Sequence, residues 1–309
     1  MEAERKNVVL SAAFGYGAET VRVLLQSARA AELQAKFVLF SNESSDSFLR
    51  QVREYYPDTD VVRPHIPWFA TGFHRLNLGL KLSGISTSCL KAMLAPRNPP
   101  SAATLLVVPY FLHAALSRYF FALDYLRQNH ARIGHVLLAD ARDIFFQSDP
   151  FNAVDSAVVS GVEDVRVKDE PFNALWLYRA YDDIQMLRAI AEQPVICSGV
   201  TIGPLDEMMN YLGAFACECL NRLDRLAWLP SFDQAIHNYL FRKSEAFGKH
   251  LVGNQDGWIM NLATASSNSF VLDSHGVHTT VGATPAIIHQ YDRHPALSEF
   301  FHRRLANAR

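Results

Sequence analysis

Apolar runs and helical spacings of apolar residues alternate along the first part of the chain. A run at 7–12 predicts a strand, and the apolar spacing within 21–28 is that of one helix face. The pattern repeats with a strand at 36–40, a helix near 46–55 and a short strand within 58–64. Strands that alternate with helices from the start predict an α/β fold with a central, mostly parallel sheet flanked by helices.

The pattern continues after a Pro-rich stretch at 69–103, which contains a helix fragment and which we expect to be a mobile surface segment. Beyond it we expect helices at 111–128, 207–223 and 231–243. The expected strands lie at 135–139, within 156–164 and at 195–204. The last expected elements are a strand, a loop and a helix within 285–305. No internal repeat or low-complexity linker interrupts the chain. We therefore expect one domain, 1–309, whose halves 1–149 and 150–309 meet near residue 150.

Composition narrows the function classes. The 29 Lys and Arg residues against 31 Asp and Glu give a net charge of −2, without the basic excess typical of nucleic-acid-binding proteins. The most apolar region, 104–126, is interrupted by Pro109 and by charged residues, which favours core elements over a membrane span. The four cysteines show neither metal-site nor disulfide spacing. We expect a cytoplasmic protein without a nucleic-acid partner or transmembrane segment; peripheral membrane contact stays open.

The predicted strand at 135–139 ends in the charged tetrapeptide "DARD", residues 140–143. Ligands of parallel α/β sheets bind outside the carboxyl ends of the strands, where Asp140 is expected. Asp140 and Asp143 converge only if these residues turn, and two close carboxylates repel unless a cation lies between them. A hard divalent cation satisfies that requirement. The alternative is structural: Asp140 caps a turn and Asp143 pairs with Arg142 or another cation.

Four segments together resemble GT-A-type glycosyltransferases, the nucleotide-diphospho-sugar transferases. "VLLADARDIFFQSDPF" (136–151) resembles their apolar strand with a D-x-D motif and a following "DP", with one extra residue between the carboxylates. "ICSGVTIGP" (196–204), "SFDQAIHNYL" (231–240) and "AIIHQYDRHP" (286–295) follow in family order. The resemblance implies a GT-A (Rossmann-like) fold with a small antiparallel element near the metal site. It further implies a nucleotide-binding half before residue 150 and an acceptor and sugar half after it.

The resemblance also implies a metal-assisted reaction. Asp140, Asp143 and His289 would hold Mn²⁺ or Mg²⁺, and an imidazole ligand favours Mn²⁺. The activity would be that of a hexosyl- or pentosyltransferase, which moves a sugar from a nucleotide-diphosphate donor to a hydroxyl of a glycan or another acceptor. The late histidine favours a retaining reaction. An inverting reaction would need a carboxylate base, from "SGVED" (160–164) or from Asp233.

The remaining site residues follow from the same resemblance. Asp233 and Arg118 are expected to be catalytic. The alternatives are that Asp233 only favours the start of a helix capped by Ser231 and Gln234, and that Arg118 lays its stem along the core. His294 is expected to assist binding of the diphosphate. The expected donor-binding residues are Ala12, Ala13, Phe14, Gly15, Tyr16, Arg118, Asp140, Ala141, Arg142, Ser198, Gly199 and Arg293.

Two other functions stay open at this point. A metal-dependent phosphohydrolase of the haloacid-dehalogenase type also has an Asp pair after a buried strand, but its second Asp follows two residues after the first, unlike "DARD". A degenerate transferase that only binds nucleotide or sugar is the second, because of the extra residue between the carboxylates.

Overall fold

A computed structural model of the chain describes residues 5–64, 87–226 and 232–307. The strands in these segments are β1 (Lys6–Ala12), β2 (Ala35–Phe40), β3 (Thr59–Val62), β4 (Ile133–Asp140), β5 (Ile144–Phe146), β6 (Val158–Arg166), β7 (Pro194–Pro204), β8 (Lys249–Val252), β9 (Ile259–Asn261), β10 (Phe270–Leu272), β11 (Val277–Thr279) and β12 (Ile287–His289).

The helices of the described segments flank these strands. They are α1 (Ala18–Ala30), α2 (Asp46–Tyr55), α3 (Thr87–Leu94), α4 (Ala102–Val107), α5 (Ala114–Asn129), α6 (Pro171–Tyr181), α7 (Ile184–Ile190), α8 (Leu205–Asn221), α9 (Leu223–Leu226), α10 (Asp233–Lys243) and α11 (Pro295–Asn307). Each of these helices is too short or too polar to cross a lipid bilayer.

The central sheet has seven strands in the order β3-β2-β1-β4-β7-β6-β8. The pairs β3–β2, β2–β1, β1–β4 and β6–β8 are parallel, and β7 runs antiparallel to both of its neighbours. The expected α/β architecture with a mostly parallel central sheet is confirmed. The reversed strand β7 carries "ICSGVTIGP" through the middle of the sheet, between the two groups of parallel strands.

Alternation of side chains along β1 separates the two layers of the core. Val8 and Leu10 pack with residues of α5, α8 and α10 on one face, while Val9 packs with Leu24 of α1 and Phe48 of α2 on the other. All of these side chains are buried, so the sheet is covered on both faces, as a mostly parallel sheet requires.

A small second sheet stands beside the end of β4. Its order is β5-β12-β9, with β12 antiparallel to β5 and parallel to β9. The expected antiparallel element near the metal site is confirmed, and it joins the segment after "DARD" to the late "IIH" strand. A further antiparallel pair, β10–β11, lies outside both sheets.

Some expected boundaries differ from those of the structure. Helix α5 begins at Ala114 rather than at 111, because a 3-10 turn at Val108–Phe111 precedes it and His113 caps its first turn. The expected helix fragment before the Pro-rich break is confirmed by α3, whereas residues 69–86 of the expected mobile segment lie outside the described residues. Ser231, the expected N-cap of α10, also lies outside them.

Candidate active site

A cleft of about 480 Å³ opens at the carboxyl ends of β1 and β4, within the range of sites for small molecules. The strand register places these ends side by side: Ala12 of β1 pairs with Asp140 of β4, and Ala139 of β4 pairs with Val200 of β7. The cleft is lined by Ala12, Phe14, Tyr16, His113, Ala114, Ala115, Arg118, Asp140, Ala141, Arg142, Asp143, Trp176, Cys197, Ser198, Gly199, Asp233, Gln234, His289 and Gln290.

Three predicted metal ligands meet in this cleft. One ligand atom from each of Asp140, Asp143 and His289 lies within 4.8 Å of the others. The chain turns after Asp140, and β5 then pairs with β12 so that Ile144 lies opposite His289. Asp143 therefore precedes that pair and faces the imidazole. The expected turn at "DARD" brings both carboxylates to one side despite the extra residue between them.

The His289 ring is oriented by a neighbour that the sequence did not reveal. Its Nδ1 lies 2.9 Å from Oδ1 of Asn261, the residue paired with His289 in the β12–β9 register, and 3.5 Å from Sγ of Cys197. Since an amide oxygen only accepts, the Nδ1–H is the donor, and in the neutral ring Nε2 carries the lone pair. A histidine that ligates a metal ordinarily has its other nitrogen held in this way.

Nε2 of His289 faces the two carboxylates. It lies 3.5 Å from Oδ2 of Asp140 and 3.7 Å from Oδ1 of Asp143, and it is buried without a hydrogen-bond partner among the described residues. Burial alone lowers the pKa of His289, but Cys197, Asp140 and Asp143 outweigh it and raise that pKa well above its usual value. The nitrogen thus has a strong affinity for a cation or a proton.

Gly199 allows this approach. A Cβ atom at position 199 would lie 2.4 Å from Nε2 of His289 and 2.9 Å from Oδ2 of Asp140, closer than any real contact. The glycine is required here by space, not by backbone conformation. The backbone of β7 therefore lies directly against His289 and Asp140.

Arg118 neutralises two carboxylates on the other side of Asp140. Its guanidinium donates to Oδ1 of Asp140 and, at 3.0 Å, to Oδ2 of Asp233. Burial raises the pKa of Asp140, but Arg118 and His289 outweigh it and hold that pKa well below its usual range. Burial also raises the pKa of Asp233, and this effect prevails over the opposing charge of Arg118.

The negative charge of Asp143 is balanced by nearby positive charge less fully than that of Asp140. Arg142 lies 3.8 Å from its Oδ2 and is also within 3.3 Å of Asp292. The Arg142 side chain is 48% exposed, so much of its charge is solvated. Burial raises the pKa of Asp143, and the neighbouring Asp140 carboxylate adds to that effect. Additional positive charge between the two aspartates would stabilise both as carboxylates.

A further residue, Gln234, closes the cleft near Asp233, and the sequence offered it only as part of a helix cap. Gln234 lines the cleft and its Nε2 donates to Oε1 of the buried Glu163 at 3.2 Å. Thr264 donates to the other oxygen of Glu163 at 3.2 Å. Burial raises the pKa of Glu163. The signal available in the sequence was the position of Gln234 directly after Asp233.

The structure places most, but not all, of the expected donor-binding residues in the cleft. Ala13 is fully buried and its backbone N–H donates to Phe40 O at 2.8 Å, while the Gly15 N–H donates to Asn42 at 2.9 Å. Arg293 is 54% exposed and lies beside Asp292, and His294 is within 3.0 Å of Leu262 O. These four residues are not among those that line the cleft. Their donor contacts stay predictions.

Comparison with solved structures identifies the fold. No protein-family model matches the chain, and no curated protein is similar to it in sequence. The structure of galactosyltransferase LgtC in complex with donor and acceptor sugar analogues is similar, with a TM-score of 0.52, 12% identity, and coverage of 97% of this chain and 95% of that chain. A glutamine-to-glutamate active-site mutant of LgtC has the same TM-score and coverage at 14% identity.

The chain has the GT-A fold. The resemblance drawn from the four sequence segments is therefore confirmed for the fold, and the Asp140–Asp143–His289 cluster fits a DxD-like metal site. At 12% and 14% identity the similarity concerns architecture.

Proposed function

We propose that this protein is a glycosyltransferase that transfers a hexosyl or pentosyl group from a nucleotide-diphosphate donor to an acceptor hydroxyl. The observation that carries the proposal is the cluster at the end of β4. There a buried imidazole nitrogen without a hydrogen-bond partner among the described residues faces two carboxylates on a GT-A sheet. A cluster with this polarity, in the cleft where the fold binds ligands, suits a cation that itself binds a diphosphate.

The donor set fits a divalent metal. Asp140, Asp143 and His289 supply two oxygens and one nitrogen, and the imidazole favours Mn²⁺ over Mg²⁺. When bound, such an ion would act as a Lewis acid that stabilises the charge of a departing nucleoside diphosphate. The protein itself keeps the Nε2 lone pair directed at the carboxylates through Asn261.

The rest of the cleft supports a sugar-nucleotide ligand. Phe14 and Tyr16, on the loop after β1, offer aromatic surface for a nucleoside, and we assign the donor to the half before residue 150. Asp233 and Gln234, from the half after residue 150, supply acceptors for sugar hydroxyls. Arg118 pairs with both Asp233 and Asp140, and so fixes the distance between the sugar end of the cleft at Asp233 and the metal end at Asp140.

We propose a retaining reaction, on the basis of the carboxylates near the sugar end of the cleft. Asp233 is paired with Arg118, and Glu163 is buried and hydrogen-bonded to Thr264 and Gln234. Glu163 does not line the cleft, and Oδ2 of Asp233 already accepts from Arg118, so neither carboxylate is placed as a free base for an acceptor hydroxyl. A phosphohydrolase of the haloacid-dehalogenase type is less well supported, since no lysine is among the described residues that line the cleft.

Thermal unfolding tests the proposal directly. The protein is heated with a panel of nucleoside diphosphates and nucleotide sugars, with and without Mn²⁺, because ligands that bind the native state raise the melting temperature. We expect one base to give a stabilisation of about 2.7 kcal/mol at a hundredfold excess over Kd, and only with the metal. Asp140→Ala is expected to abolish it, whereas Asp60→Ala on the edge strand β3 is expected to preserve it.

Assays of nucleotide-sugar consumption and phosphate release, run beside the thermal panel, separate the alternatives. Metal-dependent nucleotide binding without consumption of any nucleotide sugar would support a binding module. Release of phosphate from simple phosphomonoesters would support a phosphohydrolase. No stabilisation with any nucleotide in the presence of Mn²⁺ would contradict the proposed transferase.

A further inference from the structure

The side chain of Gln234 is held on its amino side by two acceptors. Its Nε2 donates to Oδ1 of Asn173 at 2.9 Å and to Oε1 of Glu163 at 3.2 Å. Asn173 is on α6 and Glu163 is on β6, and both are buried, at 6% and 3% exposure. Two acceptors from separate elements therefore converge on one amide nitrogen that has two hydrogens to donate.

The direction of these bonds is fixed at one end by Glu170. Oε2 of Glu170 accepts the backbone N–H of Asn173 at 2.6 Å and its Nδ2 at 2.7 Å. A backbone N–H can only donate, so this oxygen is an acceptor and the amino group of Asn173 must face it. The carbonyl of Asn173 then faces Gln234. An amide orientation is set by its network in this way.

The other end gives the same direction independently. The backbone N–H and the Oγ of Ser198 lie 3.5 and 3.4 Å from Oε1 of Gln234. Since the N–H of Ser198 can only donate, the side of Gln234 toward β7 must carry the oxygen. Both ends of the network, on α6 and on β7, require the carbonyl of Gln234 to face Ser198 and the cleft.

This orientation determines what the cleft wall can bind. The carbonyl of Gln234 and the carboxylate of Asp233 stand side by side as acceptors, and both line the cleft. Phosphate oxygens would be repelled by such a wall, whereas a hydroxyl can donate to it. The wall therefore fits the hydroxyl-bearing part of a sugar nucleotide and excludes the diphosphate from this end.

We propose that Glu163 and Asn173 are positioning residues that hold the Gln234 carbonyl toward the cleft, where it accepts a hydrogen bond from a sugar hydroxyl. The sugar contact rests on the proposed glycosyltransferase function, whereas the amide orientation does not. Glu163 and Asn173 act only through Gln234, because neither of them lines the cleft.

The orientation is tested without any ligand. Hydrogen exchange of the Gln234 side-chain NH₂ is followed by ¹⁵N NMR on the whole protein, with the signal assigned by its loss in Gln234→Glu. We expect slow exchange in the wild type. In Glu163→Gln and in Asn173→Leu we expect exchange at least about tenfold faster, since a hydrogen bond to a buried acceptor is lost or weakened.

A matched control shows whether the effect is specific. Glu218→Gln makes the same change on α8, in a side chain that is 14% exposed and paired with Arg222. It is expected to leave Gln234 exchange unchanged. Fast exchange in the wild type, or equal exchange in the wild type and both variants, would overturn the proposal. Melting temperatures of the variants separate a local effect from general unfolding.

The sugar contact is tested with the nucleotide sugar selected by the thermal panel. Glu163→Gln and Asn173→Leu are expected to lower kcat for transfer or hydrolysis at least about tenfold, because the acceptor is misplaced. Affinity for the matching nucleoside diphosphate with Mn²⁺ is expected to stay the same. An equal loss of both would indicate a general structural role and overturn the positioning role. If no nucleotide binds the wild type, the proposed function fails while the exchange result still decides the orientation.

Discussion

Two buried histidines of this chain have opposite environments. His237 and His289 are 0% and 1% exposed, so burial does not distinguish them. His237 has a partner on each ring nitrogen: Ser160 Oγ lies 2.9 Å from Nε2 and Tyr211 OH lies 2.7 Å from Nδ1. His289 has such a partner only on Nδ1, and its Nε2 faces two carboxylates.

The difference shows what distinguishes a structural histidine from a ligand. Burial, together with the charges of Arg118 and Arg242, lowers the pKa of His237 to about 3. The pKa of His289 is raised instead, because carboxylates and a thiol surround it. A neutral imidazole bonded on both nitrogens serves packing, whereas an imidazole nitrogen that faces two carboxylates without a hydrogen-bond partner suits a metal ion.

The largest expected effect comes from His289→Ala. Removal of one of three protein ligands is expected to weaken Mn²⁺-dependent nucleotide binding at least about a hundredfold, since a metal site loses several kcal/mol with a ligand. Calorimetric titration of the nucleoside diphosphate in the presence of Mn²⁺ measures it. Binding that stays at the wild-type level would show that His289 is structural, like His237.

The converse variant, His237→Ala, is expected to reduce stability without affecting the metal. It leaves a cavity and removes the partner of the Tyr211 hydroxyl, which together cost about 2–4 kcal/mol. Urea denaturation gives the free energy of unfolding, with His302→Ala on α11 as a surface control. A large loss of Mn²⁺ affinity in His237→Ala, with an unchanged fold, would remove the distinction between the two histidines.

Acid should also affect stability through His237. The unfolded chain takes up a proton near pH 6.5, whereas the folded chain does so only near pH 3, so lowering the pH between these values favours the unfolded state. From pH 7 to pH 5 this group is expected to remove about 2 kcal/mol of stability. Denaturation at both pH values, in the wild type and in His237→Ala, measures the contribution. Equal slopes in the two proteins would contradict it.

The smallest effect is expected for Asn261→Leu. Without the acceptor on Nδ1, the His289 ring loses the bond that fixes its orientation, and Mn²⁺ affinity is expected to fall at least about tenfold. Asn221→Leu, on the exposed end of α8, is the matched control. An unchanged affinity in Asn261→Leu would mean that packing against Gly199 alone orients the ring.

The sequence predicted the parts of the site that depend on local pattern. The apolar run before "DARD" located the end of β4, and a turn at 140–143 was the condition for both carboxylates to reach one cation. His289 was expected because "AIIHQYDRHP" resembles the late apolar strand of GT-A-type glycosyltransferases. These signals need only the residues on either side of the motif.

Other parts depend on pairings between distant segments. Asn261 meets His289 only through the β12–β9 register, and Asn173 meets Gln234 only because α6 packs against α10. Neither contact leaves a local pattern. Arg293 was assigned to the donor from the resemblance; it lies beside Asp292 and is 54% exposed, and its donor contact stays a prediction.

One titration tests the central claim most directly. Free Mn²⁺ is followed by electron paramagnetic resonance as wild-type, His289→Ala and His237→Ala proteins are added, each with the nucleoside diphosphate identified in the thermal panel. From the contrast between the two histidines we expect the wild type and His237→Ala to bind one Mn²⁺ per chain. We expect His289→Ala to leave the ion free. Equal binding by all three proteins, or by none, would contradict the assignment of Asp140, Asp143 and His289 as the metal site.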